Sequence, residues 1–304
     1  MDTGNPIPLI TSAHLKKKYI IISASEMLAL TIYFCILVGD LVPLSEPVWD
    51  FYILLYKMLN ILLAKTISNS SLSYLKTLIE EHHQCYCDLF EDTLKPKFHL
   101  LLHYPRIMKK VGPVRHIWVM RYEGFHKQLK STAKIVTSRI NLLLTLCIKQ
   151  QLKFSYRILS KRGLSNTIDF KQFLGELHDI REIKLISVIK TCKSTFSEKA
   201  SVFSSVTINN IKYSINSVMQ VNDTVSDCFL KFGLLQYIIS DNKFIIFILS
   251  SLTTISFEDH LQAYEVVINK DVQWFSINWE DLPNKFPYNI HVMGNGKNYI
   301  VPLQ

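Results

Sequence analysis

Residues 96–130 read PKFHLLLHYPRIMKKVGPVRHIWVMRYEGFHKQLK and carry the chain's densest set of chemically able side chains. These side chains are His99, His103, His116, Trp118, Arg121, Tyr122, Glu123 and His126. The surrounding charge is uneven, because residues 95–162 hold sixteen Lys or Arg and a single carboxylate, that of Glu123. A lone acid among so many bases is either an ion-pair partner or a metal ligand that faces a polyanion.

Glu123 is compatible with both roles. Arg115, Arg121 and Lys127 are near enough in sequence to form an ion pair with it. Sites that transfer phosphoryl groups with two metal ions use several carboxylates to hold the cations. One carboxylate cannot hold two metal ions, so spacing alone favours the ion pair.

The histidines in this stretch have a spacing that suits a metal ion. His99 and His103 lie four residues apart, so on a helix they share a face and both can reach one metal ion. Most helix-face histidine pairs, however, are not ligands. Cys85 and Cys87 form a C-x-C pair rather than the usual C-x₂-C knuckle, and residues 82–83 follow two acids as on a solvated helix surface.

The basic residues of the same region form a candidate nucleic-acid surface. They are Arg106, Lys109, Lys110, Arg115, Arg121, Lys127, Lys130 and Lys134. Cations interleaved with aromatic residues such as Tyr104, Trp118 and Tyr122 suit contacts with phosphates. The plainer alternative is a solvated helix face. The chain's net charge of +9 fits an anionic partner but does not specify the fold.

Composition limits the class of protein. At 304 residues, 48% of them hydrophobic and 19% charged, the chain is long enough for two domains with a sizeable core. It has no G-x-S-x-G, phosphate-binding glycine loop or H-E-x-x-H, which argues against serine hydrolases and nucleotide-binding enzymes. Six scattered cysteines and no signal peptide predict reduced thiols and a nuclear or cytoplasmic location.

The first part of the chain has helical signals. Residues 1–20 are predicted to be an irregular, basic N-terminus. The apolar run 27–38 follows the sequence SASE, a capping-box pattern, and further helices are predicted over residues 49–64 and 68–90. A run of twelve apolar residues is too short for a typical membrane span. Membrane association through residues 19–38 remains a second alternative.

The rest of the chain changes from helical to β pattern. Helices are predicted over residues 115–139, 141–159 and 170–189. After residue 200, short β-rich runs alternate with Asn, Asp and Ser, and an Asn-Asn pair within 206–215 predicts a hairpin. The predicted class is α+β, with an α-helical domain at 21–198 and a small, mainly β, barrel-like domain at 203–304.

Several stretches resemble one known family. They are SASEMLALTIYFCILVGDLVP (23–43), LIEEHH (78–83), LKPKFHLLLHYPRIMKKVGPVRHIWVMRYEGFHKQLK (94–130), VTINNIKYSINSVMQV (206–221) and INWEDLP (277–283). Together they look like the C-terminal part of CACTA (En/Spm-like) transposase-derived proteins. The most specific piece is H-x₃-H-Y-P, followed by G-P and then W-x₃-[FY]-E.

This resemblance implies specific chemistry. Such transposases are similar to RNase H-fold enzymes that cut and join DNA with two magnesium ions held by a D, D, E triad. Glu123 matches the final acid, and His99 with His103 match a zinc-binding pair that a cysteine pair completes. The two aspartates should lie upstream on strands, whereas Asp40 and similar acids fall in helical or turn contexts. The resemblance therefore implies a truncated copy, in which magnesium would bind only if the missing upstream part were supplied.

The expected function is that of a transposon-derived fragment, catalytically incomplete, with residual DNA or RNA binding through residues 95–162. Glu123 is then a vestigial catalytic residue, and zinc would bind only at an incomplete site. The alternative is a non-catalytic scaffold in which the helices form a bundle and the β domain binds a protein partner. The two hypotheses predict different charge geometry. A contiguous positive groove past Trp118 and Glu123 would support nucleic-acid binding, and basic residues scattered over all faces would support the scaffold.

Overall fold

The computed structural model describes most of the chain as a helical segment followed by an antiparallel sheet. The described residues are 9–16, 20–137, 140–160, 167–176, 200–222, 229–241, 244–268 and 273–302, excluding the side chains of Ala13, Met120, Arg121, Glu123, Gln172 and Glu176. A mixed helix and sheet structure was predicted and is confirmed.

The described helices lie between residues 12 and 159. They are α1 (Ser12–Lys16), α2 (Ala24–Val38), α3 (Pro47–Leu62), α4 (Asn69–Phe90), α5 (Pro96–Leu101), α6 (Tyr104–Val111), α7 (Met120–Ile135) and α8 (Leu142–Leu159). Short 3₁₀ turns lie at Gly39–Leu41, Val114–His116 and Trp279–Asp281. The N-terminus predicted to be irregular thus contains the five-residue helix α1.

Side-chain caps mark the starts of α2 and α4. The Ser23 side chain accepts a hydrogen bond from the Glu26 backbone N–H, and the Glu26 carboxylate accepts one of 2.8 Å from the Ser23 backbone N–H. This reciprocal pair satisfies two N–H groups that the helix itself leaves unpaired. The hydroxyl of Ser68 caps α4 with a single hydrogen bond, accepting from the Ser71 backbone N–H at 3.1 Å.

The helical core forms where α3, α4 and α6 meet. Its buried members are Met58, Leu62, Leu72, Leu75, Leu78, Ile79 and Met108. The side chain of Met108 is almost fully buried, with 1% of its surface exposed. Met108 packs the short α6 against the two long helices, so the opposite face of α6 points into solvent.

Ten antiparallel strands form the sheet in the part of the chain that the structure describes. They are β1 (Ile168–Glu176), β2 (Ser201–Ile208), β3 (Ile211–Ser214), β4 (Val218–Gln220), β5 (Phe232–Asp241), β6 (Phe244–Glu258), β7 (Ala263–Ile268), β8 (Trp274–Asn278), β9 (His291–Val292) and β10 (Asn298–Ile300). The strand order is β1-β2-β5-β6-β7-β10-β9, with β3 beside β2, β4 beside β5 and β8 beside β6.

The barrel prediction is wrong, because this sheet is open. Its end strands β1 and β9 do not pair with each other among the described strands. β5 pairs with β6 along its whole length, while its other edge is shared by β4 and β2. Alternating hydrophobicity predicts which side of a strand is buried, but closure depends on which edges form hydrogen bonds, and the pattern does not specify that.

The predicted hairpin is confirmed at β2 and β3. Asn209 and Asn210 have φ angles of 52° and 65°, and the strands they join pair Ile208 with Ile211. A two-residue turn with positive φ at both positions matches the twist of the strands it connects, and Asn tolerates this conformation better than most residues. This local signal explains why the sequence located the turn correctly.

The helix predicted over residues 170–189 is wrong at its start. That region contains strand β1, which pairs with β2 along its length, and residues 177–199 lie outside the described residues. The ring of Phe170 stacks on Phe203 with centroids 4.6 Å apart. Tertiary pairing with an aromatic neighbour therefore outweighs the weak local helix propensity of this segment.

The helices and the sheet share a core. Ile36 of α2 packs with a cluster from the sheet and the residues that border it, formed by Leu261, Ala263, Met293, Tyr299 and Val301. On the other side of α2, Cys35 packs with residues of α3 that include Trp49 and Tyr56. The layout of an α-helical domain at 21–198 and a β domain at 203–304 stays a prediction, and this shared cluster shows that the two segments are in contact.

Helix α2 is the one described helix with the length and composition of a membrane span. The apolar window covers Ala24–Leu41, and such a window is weak evidence because core helices of soluble proteins pass the same test. The Tyr52 hydroxyl donates a 2.6 Å hydrogen bond to the Thr31 carbonyl, which joins α2 to α3. With Ile36 in the shared core as well, α2 contacts protein on two sides.

Candidate nucleic-acid interface and histidine pair

The structure brings the two predicted metal-ligating histidines together. Pro96 occupies the first turn of α5, α5 ends at Leu101, and His103 is the N-cap of α6. The Nε2 atoms of His99 and His103 lie 3.1 Å apart, with the ring planes nearly perpendicular at 89°. One ring donates and the other accepts, so the two Nε2 atoms point at each other and a hydrogen bond holds the pair together.

The pair accounts for at most two of the four ligands that a structural zinc site needs. Zinc in such sites has four ligands at about 2.0–2.3 Å in tetrahedral geometry. The Nε2 atoms of His99 and His103 are close enough to share one ion. Among the described residues, no group of three or more His, Cys, Asp or Glu is placed to hold a metal ion. The two histidines alone therefore do not make up a complete zinc site, and no step of chemistry is assigned to one.

Glu123 lies in the first turn of α7, twenty residues after His103. The side chains of Glu123 and Arg121 lie outside the described residues, so neither the ion pair nor the metal-ligand interpretation is tested. Arg121 also stays a predicted nucleic-acid contact.

Helix α6 presents one cationic face. Arg106, Lys109 and Lys110 recur at spacings of three and four residues, which places them on one side of the helix. All three are exposed, while Met108 on the other side is buried in the helical core. The burial of Met108 thus directs the three cations into solvent.

Helix α7 presents a second cationic face. Lys127, Lys130 and Lys134 share one side of the helix by their spacing and are exposed. The half-buried Leu129 and Ala133 occupy a different side. None of the described carboxylates lies within ion-pair distance of the cations on α6 or α7, as the described pairs involve other lysines.

Arg115 and His116 form hydrogen bonds within the protein, to backbone carbonyls near the end of α3. The Arg115 Nη1 donates a 3.1 Å hydrogen bond to the Leu63 carbonyl, and His116 Nε2 bonds the Lys65 carbonyl at 3.1 Å. Carbonyls at the C-terminal end of a helix such as α3 lack partners within the helix, and a cation there is favourable. Arg115, predicted as a phosphate contact, therefore fastens the turn before α7 to the end of α3.

Sequence reasoning missed the environment of His82 and His83. Both are buried, with 3% and 8% of their surfaces exposed, where the sequence allowed a solvated surface. His82 stacks on Phe51 at 4.4 Å between ring centroids, and Phe98 packs against both histidines. Their position seven and eight residues after Leu75, on the apolar side of α4, was the signal available.

Burial changes the acid–base chemistry of these histidines. The loss of solvation, with a smaller contribution from His83, lowers the pKa of His82 to about 4. Burial also lowers the pKa of His83. His82 Nδ1 and His83 Nε2 are buried without a hydrogen-bond partner in the described part of the chain. Both rings are therefore neutral at physiological pH and behave as members of an aromatic cluster.

Cysteine chemistry gives no evidence of a metal ligand or a disulfide in this region. Cys85 and Cys87 are free thiols, as are Cys35 and Cys147. Burial, followed by the nearby carboxylates of Asp88 and Asp50, raises the pKa of Cys85. A thiol with a raised pKa is a poor metal ligand and a poor nucleophile, since the thiolate is the reactive form.

Comparisons of the chain with protein-family models, with curated proteins and with solved structures found no match.

Proposed function

We propose that the chain binds nucleic acid through the cationic faces of α6 and α7. One observation carries this proposal. Six exposed cations are gathered on two helix faces with no described carboxylate near enough to neutralise them. They are Arg106, Lys109 and Lys110 on α6, and Lys127, Lys130 and Lys134 on α7.

The chemistry of these faces suits phosphate rather than base edges. Lysine ammonium groups and an arginine guanidinium neutralise phosphates and release condensed counterions, an interaction that does not depend on base sequence. Tyr122 on α7 is 63% exposed and offers a ring on which an unpaired base can stack. The proposal is therefore binding without strong sequence preference, to duplex or single strands.

We further propose an evolutionary origin for the chain, namely that it is a catalytically incomplete relative of CACTA-type transposases. The paired nitrogens of His99 and His103 support it, because that family resemblance expects a histidine pair at these positions. The upstream acids of this sequence lie in contexts unlike those expected for the first two acids of the triad. Asp40 lies in a 3₁₀ turn, Asp50 in α3 and Asp88 in α4, whereas the resemblance expects the first two acids of the triad on strands.

The test is fluorescence anisotropy of labelled duplex DNA, titrated with the full chain at several salt concentrations. The proposal expects affinity that falls steeply as salt rises. Replacing Arg106, Lys109 and Lys110 by Gln should weaken binding. A control replaces Lys76, Lys171 and Lys212 by Gln, which removes the same net charge from other surfaces.

The control should bind like the parent protein. Equal loss in the α6 variant and the control would mean that only net charge matters, and it would overturn the assignment to α6. Absence of binding to duplex and single-stranded DNA and RNA at low salt would overturn the proposed function.

A further inference from the structure

Three backbone carbonyls at the end of the 3₁₀ turn Trp279–Asp281 converge on one ammonium group. Lys285 Nζ donates 2.7 Å hydrogen bonds to the carbonyls of Trp279 and Glu280, and a 3.0 Å hydrogen bond to that of Leu282. An ammonium has three N–H donors and no acceptor, so every donor of Lys285 has a carbonyl partner. The same nitrogen lies 5.0 Å from the centre of the Trp279 ring. All four contacts favour a positive charge at this position.

The core of the sheet holds these carbonyls in place. The side chains of Trp279 and Leu282 are buried in one cluster with Tyr213, and Trp279 Nε1 donates to the Tyr213 hydroxyl at 2.9 Å. The turn ends at Leu282, whose backbone is extended before Pro283, so no further helical turn follows to use the carbonyls. The carbonyls should therefore keep their positions when the ammonium of Lys285 is removed.

The charge around the turn also favours a cation. Burial lowers the pKa of Lys285, while the nearby carboxylates of Asp281 and Glu280 favour its charged form. None of the described ion pairs joins either carboxylate to Lys285, so the direct ligands are carbonyl oxygens. Carbonyl oxygens gathered around one position hold monovalent cations in potassium channels. A calcium ion, in contrast, takes about six to eight oxygen ligands that include carboxylates.

We propose that the end of this turn is a binding site for an ammonium-type cation, which Lys285 fills from within the chain. The tether makes Lys285 the resident cation, because its effective concentration at the site exceeds that of cations in solution. Removal of the side chain should open the site to a free ammonium or alkylammonium ion. This inference does not depend on nucleic-acid binding.

Occupancy of the site supports the contact between the sheet and the helices. The Tyr213 hydroxyl donates a 2.6 Å hydrogen bond to the backbone carbonyl of Lys285. At the next residue, the ring of Phe286 lies under Lys65, whose Nζ is 4.3 Å from the ring centre. Lys65 follows α3, so the loop that the cation holds reaches the helical segment. An empty site should therefore lower the stability of the whole chain.

The test is thermal unfolding of full-length Lys285→Ala in equal concentrations of different chloride salts. Loss of the three hydrogen bonds should lower the Tm by about 3–10 °C. Methylammonium reproduces the end of the lysine side chain and should restore roughly half of this loss or more, increasingly with its concentration. Tetramethylammonium has no N–H donor, so at the same ionic strength it should restore nothing.

Two further variants separate the site from general effects of charge. Lys285→Arg keeps the positive charge, but a planar guanidinium cannot direct three N–H groups from one nitrogen. Its Tm should fall and should not respond to methylammonium, because the arginine side chain fills the space. Lys212→Ala removes an exposed lysine and should have the same Tm in methylammonium as in tetramethylammonium.

A second measurement needs no folded variant. In the parent chain with isotope-labelled lysine, the Lys285 ammonium should give a nitrogen–proton NMR signal that exchanges slowly with water, because carbonyls bond all three N–H groups. The exposed Lys212 ammonium should exchange too fast to be seen. The inference would be overturned if Lys285 exchanged as fast as Lys212, or if Lys285→Ala responded alike to methylammonium and tetramethylammonium.

Discussion

The indole Nε1 of Trp49 donates a 3.0 Å hydrogen bond to the backbone carbonyl of His260. The His260 ring makes a second hydrogen bond, in which its Nε2 donates to the Gly39 backbone carbonyl at 2.9 Å. The turn between β6 and β7 is thereby held against the junction of α2 and α3. These two hydrogen bonds, together with the packing of Leu261 in the shared core, couple the stability of the helices to that of the sheet.

Gly39→Ala should destabilise this junction. A Cβ at Gly39 would lie 2.5 Å from Leu261 Cδ2 and 3.4 Å from Trp49 Cζ2, and Leu261 is itself buried. Overpacking of this kind typically costs about 1–3 kcal/mol. The free energy of unfolding in urea should fall by that amount.

The matched control is Gly124→Ala in α7, where a Cβ would meet nothing within 4 Å among the described residues. Ala is favoured over Gly inside a helix by about 0.5–1 kcal/mol, so this variant should be neutral or stabilising. If the two substitutions changed stability alike, the close approach at Gly39 would not be important.

His82 should make the protein sensitive to acid. Its folded-state pKa lies below the unfolded value of 6.5, at about 4, so the unfolded chain binds a proton that the folded chain does not. The stability from this difference is fully present above pH 6.5 and is lost as pH falls toward 4. The loss should be roughly 1–3 kcal/mol, and His83 adds to it in the same direction.

His82→Phe should flatten the pH dependence of the free energy of unfolding between pH 6.5 and 4. Phe keeps the stacking on Phe51 and cannot be protonated. His126→Phe, at an exposed position on α7, should leave the pH dependence as in the parent chain. An acid transition unchanged by His82→Phe would show that other groups cause it.

Tyr213→Phe should weaken the sheet. The Tyr213 hydroxyl accepts a 2.9 Å hydrogen bond from Trp279 Nε1 and donates one of 2.6 Å to the Lys285 carbonyl. Removal of this hydroxyl leaves the Trp279 Nε1–H and the Lys285 carbonyl without their hydrogen bonds, which should lower the free energy of unfolding by about 1–3 kcal/mol. In thermal unfolding, the Tm of Tyr213→Phe should be lower than that of the control variant Tyr74→Phe. Tyr74 is a half-exposed residue on α4. Equal Tm values for the two variants would contradict this role.

Local signals allowed much of the fold to be predicted. The Ser23 cap and the Asn209-Asn210 turn follow from features of a few neighbouring residues. Strand β1 could not be predicted, because its identity depends on pairing with β2, more than twenty residues away. The open sheet was missed for the same reason, since strand alternation contains no information about which edges meet.

The candidate site was predictable in part. Helical spacing correctly placed His99 beside His103 and put the α7 lysines on one face. Spacing could not show that Arg115 donates to the Leu63 carbonyl, because α3 lies some fifty residues away in sequence. Nor could the two acids before His82 reveal that its ring enters an aromatic cluster from α3 and α5.

The salt dependence of DNA binding by the α7 variant tests the central claim most directly. Lys127, Lys130 and Lys134 are replaced together by Gln, and the logarithm of the binding constant is plotted against that of salt concentration. If all three lysines contact phosphates, the slope should be less steep than the parent's by about 2.7, because each phosphate contact contributes about 0.9. A slope equal to the parent's would contradict phosphate binding by this face of α7.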